Sequence, residues 1–321
     1  MLIEMLDNLM YIEHQFLLMT NIGIILTDPE DWTTQALLSA CRKKGLTPQS
    51  ICLKDAEVNI GEGLTCSAGA IDLYDLDAIV VRDVGAGTFE GMSFRFDILR
   101  QLEKKDVVLV NSPESIQNAA NKYYSSYLLA RKGLPVPRTF AVQSRERAMG
   151  VFAEVPDAVI KPIFGYKGRG IIRVKGGDVI DPDGSVSGVL VEKMVDEILV
   201  SRGMLYIQEF VENPGRDVRA FVVGDRVAGA IYRNAPDGYW LNNLSQGGKA
   251  SACVLSPEQK EMCLKASEVI GTVFSGVDLI ESPSGPLVLE VNGTPSGAGI
   301  YSVWGINSAE MIIDHILAEI G

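Results

Sequence analysis

The chain has 321 residues, enough for two or three packed units with a substantial core. Hydrophobic residues make up 47% and charged residues 22%, as in an ordinary globular protein, and 29 basic against 41 acidic side chains leave a net charge of −12 that argues against a nucleic-acid partner. Five dispersed cysteines (Cys41, Cys52, Cys66, Cys253 and Cys263) with no CxxC, and only His14 and His315 as histidines, disfavour a disulfide framework, a zinc site and a histidine-based hydrolase, and point to free thiols in the cytoplasm.

Residues 1–18 carry apolar side chains at helical spacing but also Glu4, Asp7 and Glu13. The segment lacks the basic start of a signal peptide and is too short and charged to span a membrane, so no membrane partner is expected. Met19 stands just before a clean strand start and reads as the natural beginning, which makes 1–18 a mis-assigned start or a peripheral helix. Strands are then expected at 22–27, 50–53, 78–82 and 107–110, with helices at 32–44 and 93–105. This alternation predicts an open α/β sheet domain over 19–113. No GxGxxG follows the first strand, which disfavours a dehydrogenase. Arg82-Asp83 falls at the carboxyl end of a strand, where such sheets bind ligands, although a plain sheet-end charge explains it as well.

Ser112-Pro113 reads as the cap and first position of a helix, and a second helix runs from Asn121-Lys122-Tyr123 to Lys132-Gly133. Leu134-Pro135-Val136-Pro137 is a rigid extended break, after which the chain turns strand-rich. The strand ending in Lys161-Pro162 leads into Phe164-Gly165-Tyr166-Lys167-Gly168-Arg169-Gly170 and then a further strand. Glycines there let backbone N–H groups approach an anion, with Lys167 and Arg169 adding charge. The loop is not a Walker loop, and a plain glycine-rich hairpin fits it equally. Further strands are expected at 204–211, carrying Gln208 and Glu209, at 216–223, with Asp217, Arg219 and Phe221 on one face, and at 228–233. The polar loop 234–248 suits a mobile substrate loop, and Ser256 with Gln259 marks a capping box before a helix over 257–274.

The strand pair Gly276–Ile280 and Val288–Asn292 flanks the turn Pro283-Ser284-Gly285-Pro286. A turn near Ser284 sets Asp278 opposite Glu290, while Glu290 and Asn292 share one strand face. Oxygen groups on such a face suit a hard cation such as Mg²⁺; solvated side chains on an edge hairpin are the plain alternative. A closing helix is expected over 307–320.

The order of these signals resembles the RimK-like amino-acid ligases of the ATP-grasp superfamily, across roughly residues 111–321. NSPESIQNAANKYYSSYLLARKGLPVPRT looks like their entry segment, KPIFGYKGRGI their phosphate loop, YIQEFV their adenine hinge, and GVDLI and LEVN their metal strands. The resemblance implies an ATP-grasp module of two subdomains, 114–205 with the glycine-rich loop and 206–321 with the metal hairpin. It implies ATP as cosubstrate, two Mg²⁺ or Mn²⁺ ions, and an acyl phosphate that an amine converts to an amide. Lys122, Lys161, Gly165, Lys167, Gly168 and Gly170 would hold the phosphates. Glu209, Phe210 and Val211 would meet the adenine edge, Asp217 the ribose, and Gln208 of the hinge and Asn243 would take part in nucleotide binding. Asp278, Glu290 and Asn292 would hold the metals, and Arg219 and Arg233 would act in catalysis. The departures are Leu241, where the family often has a basic residue, and Ser245-Gln246, where the ribosomal-protein ligase has a His-Arg pair. These put carboxylate-substrate recognition in doubt. TDPEDWTTQAL and VRDVGAGTFEGMSFRFDILRQLE resemble the members that add L-glutamate to a small carboxylate cofactor such as tetrahydromethanopterin. A protein C-terminus as acceptor and an inactive ATP-binding scaffold are the alternatives. A homodimer or tetramer follows from the same resemblance.

Overall fold

The computed structural model describes residues 20–321 apart from Glu62, residues 166–167 and residues 243–246. The reading of 1–18 and those of Lys167 and Asn243 therefore lie outside the described residues. The chain groups into two compact units: residues up to Ile116 with 272–274 and 294–321, and residues 117–271 with 275–293. The expected sequential boundaries put 294–321 with the metal hairpin; the contacts group that segment with the amino-terminal part instead.

In the first unit, β1 (Ile22–Ile25) is buried along its whole length and is followed by α1 (Trp32–Lys43). Asp31 caps α1 by accepting from the N–H groups of Thr33 and Thr34, and Gly45, at φ +80°, takes the chain out of it. β2 (Gln49–Ile51) is shorter than expected, because Leu53 already begins a 3₁₀ turn. A small antiparallel sheet follows that the sequence reading lacked, formed by β3 (Ala56–Ile60), β4 (Leu64–Ala68) and β5 (Ile71–Asp72). Its strands alternate apolar and polar residues: Cys66 and Ala68 enter the core, Ala56, Val58 and Ile71 pack against it, and Ile60 and Leu64 at the hairpin end are exposed.

β6 (Ala78–Val81) leads to α2 (Phe89–Glu103), which starts four residues before the expected Ser93 because Thr88 caps it through the Gly91 N–H. β7 (Val108–Val110) completes a parallel sheet in the order β2-β1-β6-β7. Unbroken apolar runs are what a parallel sheet buried on both faces requires. Asn111, directly after β7, is fully buried and clamps the Phe274 backbone, donating to its carbonyl at 2.7 Å and accepting from its N–H at 3.1 Å.

The helices α3 (Pro113–Ala120) and α4 (Lys122–Arg131) come next, the latter capped by Asn121. Then β8 (Thr139–Val142), α5 (Arg145–Glu154), β9 (Asp157–Lys161), β10 (Ile172–Lys175), β11 (Asp178–Ile180), α6 (Val191–Arg202) and β12 (Leu205–Glu209) form an antiparallel sheet, β11-β10-β9-β12-β8, backed by two helices. Its apolar face, with Ala158, Ile160, Val174, Leu205 and Ile207, packs on α5 and α6. The alternation of the pleat turns Asp157, Lys161, Arg173, Tyr206 and Gln208 the other way.

The second antiparallel sheet of this unit, β15-β14-β13-β16-β17, comprises β13 (Arg216–Val223), β14 (Arg226–Asn234), β15 (Lys249–Cys253), β16 (Phe274–Ser282) and β17 (Gly285–Asn292). Between β15 and β16 lies α7 (Pro257–Ile270) with a complete Ser256–Gln259 capping box; it ends at Gly271 (φ +85°), short of the expected Phe274, which opens β16. Ala119 and Leu129 join the core of this sheet, while Ser126 of α4 meets Tyr206 of the glycine-rich loop's sheet at 2.8 Å, so α4 touches both sheets. α8 (Ala298–Trp304) and α9 (Ser308–Ile320), capped by Asn307, close the first unit. All five cysteines are free, and burial pushes the Cys41 and Cys263 thiols up to about 12, which leaves neither a nucleophile. Among the described residues no helix is long and apolar enough to cross a membrane.

Candidate active site

The hairpin of β16 and β17 sets Asp278 opposite Glu290 as expected, but through a bulge: the turn pairs Ser282 with Gly285, and the register shifts by one residue just after Asp278 to bring the two carboxylates opposite each other. Asn292 follows two residues after Glu290 on the same face. Its amide donates to the Gly276 carbonyl at 3.2 Å, and its Oδ1 has no partner among the described residues. Asp278 is 2% exposed and faces two arginines. Arg219 grips both its oxygens, from Nε and from Nη2 at 2.8 Å, and Arg233 adds Nη2 at 2.7 Å.

Arg219 and Arg233 reach the same carboxylate because they lie on adjacent strands. Arg233 also holds Asp217 in a two-point contact of 2.6 and 2.9 Å. Both Asp217 oxygens are thereby committed to the arginine, so the structure makes Asp217 a partner of Arg233 and not the free ribose acceptor expected. Burial works against the charge of Arg233, but Asp278 and Asp217 more than offset it and keep the guanidinium firmly protonated. Each arginine keeps Nη1 without a partner among the described residues.

Lys122, the first residue of α4, forms an ion pair with Glu290 at 2.6 Å and donates to the Gly165 carbonyl at 3.3 Å. Burial opposes its charge, yet Glu290 outweighs this and raises its pKa. Glu290 responds in the other sense. Burial pushes it up, but Lys122, Arg219 and Lys161 hold it far below the usual carboxylate range. Lys161 has a neutral partner, the Gln208 carbonyl oxygen at 2.6 Å. Burial, aided by the Lys122 charge, brings its pKa down to about 8 although Glu290 acts in the opposite sense.

Gln208 is 1% exposed and is itself held by the Thr139 hydroxyl at 3.2 Å and the Tyr206 hydroxyl at 3.3 Å, the latter bonded to Ser126 at 2.8 Å. Gln208 therefore positions Lys161 and does not line an open base pocket. The period-2 placement of Tyr206 and Gln208 on one strand was the signal available for finding Tyr206.

The glycine-rich loop begins where the Ile163 carbonyl accepts from the Lys122 N–H at 3.0 Å. Gly168 and Gly170 adopt φ near +70°, and a Cβ on Gly165 would lie 2.6 Å from the Pro162 ring. These are conformations in which backbone N–H groups form a concave anion cradle. Glu209, Phe210 and Val211 line a cleft of about 930 Å³ together with Arg173, Asp157 and Leu287, a volume within the usual range of ligand pockets. Arg173 lies 3.5 Å over the Phe210 ring and is fixed by Asp157 at 2.8 and 2.7 Å. Trp240 meets Phe210 edge-on at 6.3 Å and donates from its indole to the Asp181 carbonyl at 2.7 Å. None of Asp157, Arg173 and Trp240 was singled out from sequence.

Three carboxylates thus face four cationic side chains. Among the described residues no group of three His, Cys, Asp or Glu side chains forms a metal set by itself. With the free Oδ1 of Asn292, however, Asp278 and Glu290 make the all-oxygen donor set that Mg²⁺ or Mn²⁺ takes alongside phosphate oxygens. The residues present fit such ions.

A RimK-like ATP-grasp domain is matched over residues 119–316. The tetrahydromethanopterin:alpha-L-glutamate ligase of Methanosarcina acetivorans is 54% identical over 320 residues, covering 93% of this chain and 99% of its own. Its counterpart from Methanocaldococcus jannaschii is 36% identical over 301 residues, covering 91% and 97%. Among solved structures, the ATP-grasp ligase PsnB complexed with a minimal precursor superposes with a TM-score of 0.70 at 21% identity, covering 94% of this chain and 99% of its own, which shows the shared fold.

Proposed function

The chain belongs to the RimK-like ATP-grasp family and is an ATP-dependent ligase, and from that premise we propose that it joins L-glutamate to tetrahydromethanopterin through an acyl phosphate. The observation that carries the acceptor is the 54% identity over 93% of this chain, which extends well beyond the matched domain. A protein C-terminus as acceptor has no comparable support.

Lys122 and Lys161 hold the ATP phosphates under the cradle of Gly165, Gly168 and Gly170, where Lys167 adds charge; Asn243 takes part in nucleotide binding. The base lies along Glu209, Phe210 and Val211 in the cleft beside Arg173. An oxygen of the acceptor carboxylate attacks the γ-phosphorus, the bond to the bridging oxygen breaks, and ADP leaves. The glutamate amine then attacks the acyl carbon, loses a proton, and inorganic phosphate departs. Arg219 and Arg233 direct their free Nη1 groups at the oxygens that carry the developing charge in both steps. Asp217 keeps Arg233 aimed. Asp278, Glu290 and Asn292 would hold two divalent ions, which screen the phosphate charges.

The five free cysteines agree with the cytoplasm as compartment, and a homodimer or tetramer is the assembled form in this reading. Incubation with ATP, L-glutamate and tetrahydromethanopterin tests the proposal by product mass. A product one glutamyl residue heavier is expected. Its absence, with ADP released only when another acceptor is supplied, overturns the acceptor.

A further inference from the structure

The direction in which the Gln208 amide points decides whether Lys161 has an acceptor. A lysine ammonium only donates, so it needs the carbonyl oxygen of Gln208 and is repelled by the NH₂ end. That oxygen lies 2.6 Å from Nζ. The two ends of a primary amide have nearly the same shape, so packing alone does not choose between them.

The groups on the far side of the amide make the choice. Nε2 lies 3.2 Å from the Thr139 hydroxyl oxygen and 3.3 Å from that of Tyr206. Thr139 gives its own hydroxyl proton to the Pro137 carbonyl at 2.8 Å, so toward Gln208 its oxygen only accepts. Tyr206 is 1% exposed, and its hydroxyl sits 2.8 Å from that of Ser126, which is also buried. With its proton directed at Ser126, the phenol oxygen accepts from Gln208 as well. Both amide hydrogens are thus taken up away from Lys161. A flipped amide would set its oxygen against two acceptor oxygens and its hydrogens against an ammonium. Strand pairing brings these groups together: Tyr206 stands opposite Lys161 across β12 and β9, and Gln208 opposite Thr139 across β12 and β8. Ser126 lies four residues after Lys122, one turn further along α4.

We propose that Tyr206 and Thr139 are positioning residues for ATP binding: their hydroxyl oxygens hold the Gln208 amide in the one orientation that gives Lys161 an acceptor, and Ser126 fixes the hydroxyl of Tyr206. The inference rests on the ligase reading above, in which Lys161 meets the phosphates. The two hydroxyls act only through Gln208, so they should matter only while the group at that position has two different ends.

The test measures ATP KM by ADP release at pH 7, with L-glutamate and an acceptor that supports turnover both saturating, in two backgrounds. With Gln208 in place, Tyr206→Phe and Thr139→Val are each expected to raise ATP KM about threefold, and the two together about tenfold or more. The change in kcat should be smaller, and KM for the acceptor and for L-glutamate should stay within about twofold. Gln208→Glu supplies the second background. A carboxylate presents an oxygen to Lys161 whichever way it turns, so there the paired hydroxyl substitutions should change ATP KM by less than about twofold. A packing role would give the same loss in both backgrounds, and that result overturns the inference, as does an unchanged ATP KM in the paired variant. Phe and Val keep the shapes of the side chains they replace; if the paired variant does not fold, the single variants are compared in the same two backgrounds. Wild-type enzyme that releases no ADP with any acceptor overturns the ligase reading and this inference with it. Wild-type turnover with unaltered variants overturns the inference only.

Discussion

Lys122 and Glu290 meet at 2.6 Å, joining the first residue of a helix to the middle of the metal-type hairpin. Each holds the other charged against burial, Lys122 raised and Glu290 lowered. In the proposed site the pair joins the cation assigned to phosphate and the anion assigned to the metal, and ATP with its metal would take each from the other.

Replacing Glu290 with Gln keeps the shape and removes the charge. Turnover is expected to fall about 10²–10³-fold, and the divalent-ion concentration for half-maximal rate to rise. Circular dichroism should match wild type. A Glu290→Gln enzyme with wild-type metal dependence would remove Glu290 from the metal set.

Lys161 predicts a pH limb. Its folded pKa is about 8, below the ordinary lysine value, so it is a cation below pH 8 and loses its charge as pH rises through that value. Because phosphate binding needs the cation, kcat/KM for ATP at saturating glutamate should be flat below about pH 8 and fall above it. Lys161→Arg, charged throughout, should abolish the fall. The same sign governs stability: below pH 8 the folded state bears the full cost of the buried charge, and that cost fades between 8 and the unfolded value as the native lysine gives up its proton first.

Gln208 can be separated from binding residues by the same profile. Gln208→Glu places a charge beside Lys161 and should move the limb to higher pH, whereas Gln208→Leu removes the amine's one hydrogen-bond partner among the described residues and should raise the ATP KM about tenfold with less effect on kcat. A limb that stays in place in both variants would show that Gln208 does not act through Lys161.

The hairpin was legible because a Pro/Gly turn separates two short apolar runs, but the turn's own register would set Asp278 opposite Leu289, and the pairing with Glu290 comes from a bulge that has no sequence signature. The parallel sheet was legible for a similar reason, since Ile22–Ile25 and Ala78–Val81 are unbroken apolar runs. The sheet of β3, β4 and β5 was not read, although Ala56–Ile60 and Leu64–Ala68 alternate apolar and polar residues, because the runs are short and Ile60 and Leu64 at the hairpin end stay exposed. Asp217 and Gln208 were singled out but given other tasks. Their burial and their partners arise from pairing with β14 and β9, which one strand's sequence does not contain. The role of Asn111 as a clamp on Phe274 spans 163 residues and has no local signature.

The two arginines should part in their effect on stability. Arg233 is 7% exposed and serves Asp217 and Asp278; Arg233→Met leaves two buried carboxylates short of a partner and is expected to destabilise by about 3 kcal/mol or more. Arg219→Met leaves Asp278 still paired with Arg233 and should cost about 1 kcal/mol. Both should lose turnover about a hundredfold or more. Urea denaturation gives the first comparison and ADP release the second; equal destabilisation by the two variants would contradict the assigned pairing.

The most direct test of the chemistry follows oxygen. With the acceptor carboxylate labelled with ¹⁸O, attack on the γ-phosphorus and displacement by glutamate carry one labelled oxygen into the inorganic phosphate released. Mass analysis of that phosphate should show one ¹⁸O for each amide formed. Amide formation with unlabelled phosphate would contradict the acyl-phosphate route and the roles given to Arg219 and Arg233.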